Sequence, residues 1–148
     1  RSGNLELLEK FHAMGRPLKC SNKFGESLLH LACRRNLGEV ASFLIKQAKV
    51  PVRVRDDYGR TPLHDACWTQ SPNFDLIALI LEECPSLLFM RDARGHTPLA
   101  YARQDPAWIS FLKERETLFC CHEQQKDHHQ ESTSARTTPC HNNNIPPP

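Results

Sequence analysis

One nine-residue phrase recurs three times in this 148-residue chain and constrains its fold more than any other feature. The middle copy, from Gly59 to Cys67, is GRTPLHDAC; the first begins at Gly25 as GESLLHLAC, and the third begins at Gly95 as GHTPLAYAR. The three glycines stand 34 and then 36 residues apart. Self-similarity at a fixed period of about 20–50 residues predicts a repeat architecture, in which each unit is stabilised by packing on its neighbours.

The middle copy contains the signals of a tight turn followed by a helix. Gly59 can adopt the positive φ that a tight turn needs. Thr61 can cap the helix by accepting from a free backbone N–H, and Pro62 suits the first helical position, where no N–H is required. Leu63 and Ala66 then lie on one face. The phrase therefore predicts a short helix whose small residues let a second helix approach closely.

These residues resemble the T-P-L-H-x-A phrase of the ankyrin repeat, whose period is about 33 residues, and the resemblance covers about residues 1–116. It implies an all-α solenoid of about 3.5 helix-turn-helix repeats with β-hairpin-like turns. In that family the histidine of the phrase ties neighbouring turns together by hydrogen bonds. The resemblance therefore implies such ties at His30 and His64 and none at Ala100, which replaces the third histidine.

The resemblance also divides the chain into units. A partial repeat occupies residues 1–18, and repeats follow at about 19–52, 53–88 and 89–116. The chain begins in mid-repeat, because Gly3 and Asn4 fall where the family turns between its two helices. We expect that part of a longer protein precedes this point; an array with a half-repeat start is the alternative. The composition changes after Leu118 and Phe119, and residues 120–148 contain almost no apolar side chains, so residues 117–148 are predicted to be a disordered polar tail.

Apolar periodicity gives approximate helix bounds. Helices are predicted at about 28–35, from about 39, and at about 62–69, 74–84, 98–104 and 107–116. Before them, Leu7, Leu8 and Phe11 form the apolar stripe of a first helix that Gly15 ends. Pro51 excludes a regular central strand in the extended segment around it.

Charge, hydropathy and cysteine content narrow the possible classes of function. The net charge of +2 is too small to indicate nucleic-acid binding by itself, and no apolar run approaches the ~18 residues that span a bilayer. Four of the seven cysteines fall within the repeats, at Cys20, Cys33, Cys67 and Cys84, where we expect small core residues. Free buried cysteine suits a reducing compartment, so a cytoplasmic or nuclear location is expected.

The predicted tail contains cysteine and histidine, which can bind metals, but their spacing does not match a known metal site. They are Cys120, Cys121, His122, His128, His129, Cys140 and His141. No C-x₂-C pair is present, and the spacings match no structural zinc site. We interpret these residues as part of a polar tail, with adventitious metal binding as the alternative, and we predict no metal and no cofactor.

The repeats themselves place histidine and cysteine together, which raises the question of catalysis. His30 and Cys33, like His64 and Cys67, are three residues apart and would be neighbours on a helix. The resemblance puts each cysteine where the family has a buried alanine, whereas a catalytic thiolate needs exposure and positive surroundings. Because the chain also lacks paired carboxylates and a phosphate-binding glycine loop, we predict no catalytic residue and no small-molecule substrate.

What remains is a surface, because stacked repeats create a concave groove. In ankyrin arrays the turn tips and the exposed side of each first helix usually contact the partner. The register gives these partner-binding candidates: Lys23, Phe24, Arg34, Arg35, Arg55, Asp57, Tyr58, Arg60, Trp68, Arg91, Arg94, His96 and Arg103. Glu26 also falls on this face, which thus holds eight lysine or arginine residues and two carboxylates in a nearly balanced chain. Arginine and aromatic residues are enriched in interface hot spots.

The predicted function is non-catalytic recognition of a protein partner through this face, with an acidic protein segment as the sharper hypothesis. Three alternatives remain open. The tips could simply be solvated, with Trp68 packed on the loop at Pro72. The chain could be a targeting or regulatory region of a larger enzyme, which its mid-repeat start favours. The same basic face could bind nucleic acid, although the weak net charge argues against this.

Overall fold

The computed structural model describes residues 5–102 and 106–116, and six α-helices lie within these ranges. They are α1 (Leu5–Ala13), α2 (Leu28–Arg34), α3 (Gly38–Lys46), α4 (Pro62–Trp68), α5 (Phe74–Glu83) and α6 (Pro106–Glu114). Two 3₁₀ helices, Pro85–Phe89 and Pro98–Tyr101, lie between α5 and α6. These ranges contain no β-strand, only one isolated antiparallel bridge between Ser21 and Ser27. The predicted all-α solenoid with hairpin-like turns is confirmed.

The helices form two layers that run along the stack. The first helices of successive repeats pack side by side, α2 on α4 and α4 on the 3₁₀ helix Pro98–Tyr101. The second helices pack in the same order, α3 on α5. The core lies between the layers, and its fully buried side chains come from the two repeats at 19–52 and 53–88, among them Leu29, Leu44, Leu63, Ile77 and Leu87. Each repeat thus buries its apolar face mainly on its neighbours.

The first helices begin as the sequence predicts. Both α2 and α4 start with a capping box, at Ser27 and Thr61, and Pro62 occupies the first turn of α4. The Thr61 N–H donates to Nδ1 of His64 at 3.0 Å, and the equivalent Ser27 N–H donates to Nδ1 of His30 at 3.1 Å. A histidine ring therefore does at these caps what a glutamate or glutamine side chain does in the usual box.

The turns before the first helices share one hydrogen-bonding device. In the second turn, Oδ1 of Asp56 accepts from the N–H groups of Tyr58 and Arg60, at 3.0 and 2.8 Å. Asn22 and Asp92 do the same in the first and third turns. The turn glycines Gly25, Gly59 and Gly95 all have positive φ, at 73°, 72° and 82°. Each side-chain oxygen satisfies two backbone donors and fixes the shape of its turn.

The third repeat departs from the predicted helix bounds. The helix predicted at about 98–104 is wrong in type, because Pro98–Tyr101 is a 3₁₀ helix, and in extent, because Ala102 is already extended, with φ −67° and ψ 137°. Residues 103 and 104 lie outside the described residues. A short first helix in a repeat array is stabilised by the first helices of the repeats before and after it. The described residues contain a first helix before Pro98–Tyr101 but none after it. A second 3₁₀ helix, Pro85–Phe89, was not predicted, because its apolar run follows a proline that ends α5.

The cysteine prediction is right for Cys33 and Cys67 and wrong for Cys20. Cys33 and Cys67 are buried and Cys84 is partly buried, whereas Cys20 is exposed. The equivalent positions one and two repeats later, Val54 and Met90, are partly buried. The difference arises because those residues follow a complete repeat, while only α1 precedes Cys20 in the described part of the chain.

The apolar stripe of α1 is only partly covered. Leu8 is half-buried and packs against the core, but Leu7 and Phe11 are exposed. At the other end of the stack, Trp108 and Phe111 of α6 are buried, and both rings contact Phe74 of α5. The polar outer side of α6 is what a terminal repeat requires.

Candidate protein-binding face

Backbone hydrogen bonds join the three turn tips into one row. The Asp57 N–H donates to the Phe24 carbonyl oxygen at 3.1 Å, and the Ala93 N–H donates to the Tyr58 carbonyl oxygen at 2.9 Å. Residues 22–26, 56–60 and 92–96 therefore stand side by side at a fixed spacing. We call this row, together with the exposed side of α2, α4 and the 3₁₀ helix Pro98–Tyr101, the tip–helix face.

Two of the candidate arginines also strengthen the row. Nη1 of Arg55 donates to the carbonyl oxygens of Gly59 and Arg91, each at 2.8 Å, and so links the second turn to the third. Nη1 of Arg91 donates to the Gly95 carbonyl oxygen at 2.7 Å. Both side chains remain exposed, and carbonyl groups do not neutralise a guanidinium. Arg55 and Arg91 thus combine a structural role with positive charge at the surface.

Two other candidate arginines are committed to internal ion pairs. Nη2 of Arg34 contacts a carboxylate oxygen of Glu26 and lies 3.1 Å from Oδ1 of Asp65. Arg60 binds Asp56, with Nη2 and Oδ2 2.7 Å apart. The three carboxylates are almost completely buried, whereas Arg34 is about one-third exposed. The predicted basic character of this face therefore comes from other residues.

The buried carboxylates show how strongly the arginines are engaged. Burial raises the pKa of Asp65, and the neighbouring Arg34 partly opposes the rise. A hydrogen bond from the Asn22 side chain lowers the pKa of Glu26, despite the cost of burial, and Arg34 and Arg60 lower it further. Asp65 depends on Arg34 because an unpaired buried carboxylate is strongly disfavoured.

The exposed cations are the ones without a carboxylate partner among the described residues. They are Lys23, Arg35, Arg55, Arg91 and Arg94. On the turn tips, Asp57 is the one exposed carboxylate within the described ranges. His96 is also exposed, and its backbone rather than its ring takes part in the turn. Arg103 lies outside the described residues.

Aromatic side chains lie among these cations. Phe24, Tyr58 and Trp68 are all substantially exposed, and Nζ of Lys23 lies 4.9 Å from the Phe24 ring centroid. The ring next to Trp68 is Tyr101, with centroids 6.2 Å apart and planes inclined at 42°. The sequence did not single out Tyr101, although its place inside the third phrase was available as a signal.

Two clefts lie in the tip–helix face, and Trp68 lines both of them. One, of about 580 Å³, is bordered by Arg34, Arg35 and Asp65. The other, of about 450 Å³, lies between Tyr58, Trp68, Tyr101 and Arg94. Sequence reasoning missed Asp65, which lies buried beneath the first cleft and holds Arg34, although an acidic residue beside the phrase histidine was visible. The face is continuous from the turn tips to the ends of the first helices.

The comparison with family models decides the identity of the fold. A model described as "Ankyrin repeats (3 copies)" matches residues 1–86. The chain belongs to the ankyrin-repeat family. Ankyrin repeats generally serve as protein-interaction modules, which agrees with a continuous face built from turn tips and first helices.

The relatives of this ankyrin-repeat chain are themselves diverse. A human protein named "SMC5-SMC6 complex localization factor protein 1" is 35% identical over 79 residues, which are 53% of this chain and 7% of the relative. A Saccharomyces cerevisiae protein named "Probable 26S proteasome regulatory subunit p28" is 36% identical over 104 residues, 68% of this chain and 43% of the relative. A Caenorhabditis elegans protein named "Putative glutaminase 2" is 33% identical over 66 residues, 45% of this chain and 11% of the relative. The match spans less than half of the length of each relative.

The ties between ankyrin repeats are present where they were predicted. Nε2 of His30 lies 3.0 Å from the Arg60 carbonyl oxygen, and Nε2 of His64 lies 3.2 Å from the His96 carbonyl oxygen. Ala100 has no ring to make a third tie. The spacing and rigidity of the tip–helix face thus depend on side chains buried directly beneath it.

The cysteines beside these histidines have the properties of core residues. Burial raises the pKa of Cys33 well above its ordinary value and raises that of Cys67 to about 12. Such thiols remain protonated at neutral pH and are poor nucleophiles. Across residues 5–102 and 106–116, no three His, Cys, Asp or Glu side chains gather where they could hold a metal ion. The cysteines and histidines of the predicted tail lie outside the described residues.

Within the same ranges, every helix falls short of the length and apolar character that a membrane span requires.

Proposed function

We propose that residues 1–116 form a non-catalytic ankyrin-repeat domain that binds an acidic segment of a partner protein along the tip–helix face. One observation carries the proposal. After the internal ion pairs of Arg34 and Arg60 are set aside, the exposed charges that the described residues contribute to the face are five cations against the single carboxylate of Asp57. Complementary charge increases both the specificity and the rate of association.

The relatives and the buried thiols are compatible with an adaptor inside the cell. Two relatives are named as a complex localization factor and a proteasome regulatory subunit, which are roles in larger assemblies. Free buried cysteines such as Cys33 and Cys67 suit a reducing compartment. We therefore place the proposed recognition in the cytoplasm or the nucleus.

The test measures binding of a labelled 12-residue peptide of alternating glutamate and serine with a central alanine. We expect its affinity to fall by about tenfold between low and moderate salt, because exposed charges are screened. We expect a similar loss in the double variant Arg35→Glu with Arg94→Glu. Neither arginine has an ion-pair partner in the described part of the chain, so the fold should be preserved.

The matched control reverses two lysines away from the tip–helix face. Lys46→Glu with Lys113→Glu makes the same change in net charge on α3 and α6, where both side chains are exposed. Peptide affinity should stay within about twofold of the parent, because the reversed charges are distant from the bound segment. Salt-independent binding, or equal loss in both double variants, would contradict the proposal. Tighter binding of a single-stranded oligonucleotide of equal charge would favour nucleic acid instead.

A further inference from the structure

A cleft of about 450 Å³ lies between the second and third turn tips. Its walls include the rings of Tyr58, Trp68 and Tyr101, and Arg60 and Arg94 stand at its rim. Tyr58 and Trp68 remain 54% and 56% exposed, although large aromatic side chains gain free energy on burial. The cleft thus offers aromatic surface that a partner can cover.

Building on the acidic-segment recognition proposed above, we propose that this cleft binds one aromatic side chain of the partner segment while an adjacent acidic residue pairs with Arg94. Here the cleft is called the aromatic cleft. The partner is then identified by its chemistry: an acidic segment with an aromatic anchor, rather than any acidic sequence.

The walls of the aromatic cleft are held in place before a partner arrives. The Tyr101 hydroxyl donates to the Asp92 carboxylate, and the Tyr101 ring makes edge contacts with His64 and His96 at 5.9 and 5.6 Å between centroids. On the opposite wall, the Arg60 guanidinium lies 5.0 Å from the centroid of the Tyr58 ring. Walls that are already ordered lose little conformational entropy on binding.

The arrangement of rings suits one more aromatic group. Trp68 and Tyr101 are 6.2 Å apart and inclined at 42°, a separation within the range at which aromatic pairs attract. Because more than half of Trp68 is still exposed, an inserted ring can contact it without displacing Tyr101. The inserted ring would therefore add to the contact between Trp68 and Tyr101 without breaking it.

The charges around the aromatic cleft exclude a lysine or arginine anchor. Among the described residues that line it, Asp92 has the one carboxylate, and this already accepts from the Tyr101 hydroxyl and from the N–H groups of Arg94 and His96. Arg94 at the rim would repel a cation, whereas the charge of Arg60 is already paired with Asp56. Since the exposed Arg94 has no carboxylate partner within the described ranges, it can instead pair with an acidic residue beside the anchor.

Four labelled 12-residue peptides test the proposal. Three alternate glutamate and serine and have phenylalanine, alanine or lysine at the centre; the fourth replaces glutamate with glutamine and keeps the phenylalanine. The acidic phenylalanine peptide should bind about tenfold tighter than the acidic alanine peptide, since burying and pairing one ring is worth roughly that factor. The lysine peptide should bind no tighter than the alanine peptide.

Variants of the protein locate the effect. Trp68→Ala should reduce the preference for phenylalanine to about twofold or less, because the main exposed wall is removed. Tyr58→Ala should weaken it by a smaller factor. Ile109→Ala is the matched control, because Ile109 is 60% exposed on α6 and does not line the aromatic cleft. Circular dichroism and thermal unfolding should be unchanged in all three variants, since each truncated side chain is largely exposed.

The outcomes separate this inference from the proposed function. Equal, salt-sensitive binding of the acidic phenylalanine and alanine peptides overturns the aromatic anchor and leaves acidic recognition standing. Equal binding of the neutral and acidic phenylalanine peptides, still lost in Trp68→Ala, supports the anchor and overturns acidic recognition and the pairing with Arg94. If Trp68→Ala still binds the phenylalanine peptide about tenfold tighter than the alanine peptide, the ring does not bind in the aromatic cleft. Binding of none of the four peptides overturns both proposals.

Discussion

Nε2 of His64 lies 3.2 Å from the carbonyl oxygen of His96, thirty-two residues further along the chain. The opposite ring nitrogen, Nδ1, accepts the Thr61 N–H at 3.0 Å, so the proton of the neutral ring resides on Nε2 and donates to the carbonyl. His30 makes the same pair of contacts with Ser27 and Arg60. In each of these two repeats, one buried ring thus completes the cap of its own helix and binds the next turn.

Removing such a ring should be costly. We expect His64→Ala to lower the free energy of unfolding by about 3 kcal/mol, because the Thr61 N–H loses its partner and a cavity opens in a fully buried site. Urea denaturation followed by circular dichroism measures the change. The control is His96→Ala, which keeps the accepting carbonyl and should cost less than about 1 kcal/mol. Equal costs for the two variants would mean that the tie is unimportant.

The same ring should make stability depend on pH. Burial lowers the pKa of His64 below its ordinary value of 6.5, although the hydrogen bond to the His96 carbonyl opposes the shift. The unfolded chain therefore binds a proton more readily than the folded chain. This contribution to stability is complete above about pH 6.5 and is lost as the pH falls from there towards the lower folded pKa.

The measurement is the urea midpoint at pH 7.5 and at pH 5. The midpoint should fall between these values more in the parent than in His64→Gln, which has no ring to titrate. Subtracting the variant removes the contributions of the carboxylates, which titrate alike in both proteins. A parent and variant that change in parallel would show that His64 does not titrate differently on folding.

Adjacent arginines on α2 should behave in opposite ways. Arg34→Ala leaves the buried carboxylate of Asp65 without its cation and should cost about 2–4 kcal/mol in the free energy of unfolding. Arg35→Ala changes an exposed side chain without an ion pair in the described part of the chain, and should stay within about 0.5 kcal/mol. Adding Asp65→Asn to Arg34→Ala should recover part of the loss, because the unpaired charge is gone. Chemical denaturation of the four proteins decides the matter.

Two turn glycines offer a matched test of crowding. Gly59 and Gly95 both have positive φ, at 72° and 82°, so alanine is strained at either position by about 1–2 kcal/mol. A Cβ at Gly59 would also lie 3.0 Å from the backbone nitrogen of Ala93 in the next turn. A Cβ at Gly95 would have no described heavy atom of another part of the chain within 4 Å. We expect Gly59→Ala to be the more destabilising by at least about 1 kcal/mol. Thermal unfolding that ranks the variants the other way would contradict the packing of the turns.

Local chemistry explains how much of the fold was predictable. Thr61 and Pro62, two consecutive residues, determine where α4 begins. The spacing of the apolar residues Ile77, Ile80 and Leu81 determines which side of α5 is buried. Such signals act over one or two helical turns and can be recognised in any chain. The same reasoning failed at residues 98–101, where helix type depends on what packs beside the segment.

The candidate site was predictable in outline and not in its charges. The register placed Arg34, Arg35 and Trp68 on one face, and the structure places all three around the same cleft. It could not show that Arg34 is held by Asp65, because 31 residues separate them and only the stacking of α2 on α4 brings them together. Which cations are free to meet a partner therefore depends on contacts between repeats.

The sequence by itself determined the repeat, its turns and its helix starts, since each of these follows from a few consecutive residues, whereas the histidine ties were implied by the resemblance to ankyrin repeats. The tertiary structure alone decided which arginines are neutralised and how Tyr58, Trp68 and Tyr101 meet in one aromatic cleft. The physical reason is distance along the chain. Backbone preferences act between near neighbours, whereas ion pairs and ring contacts between repeats exist only after the repeats have stacked.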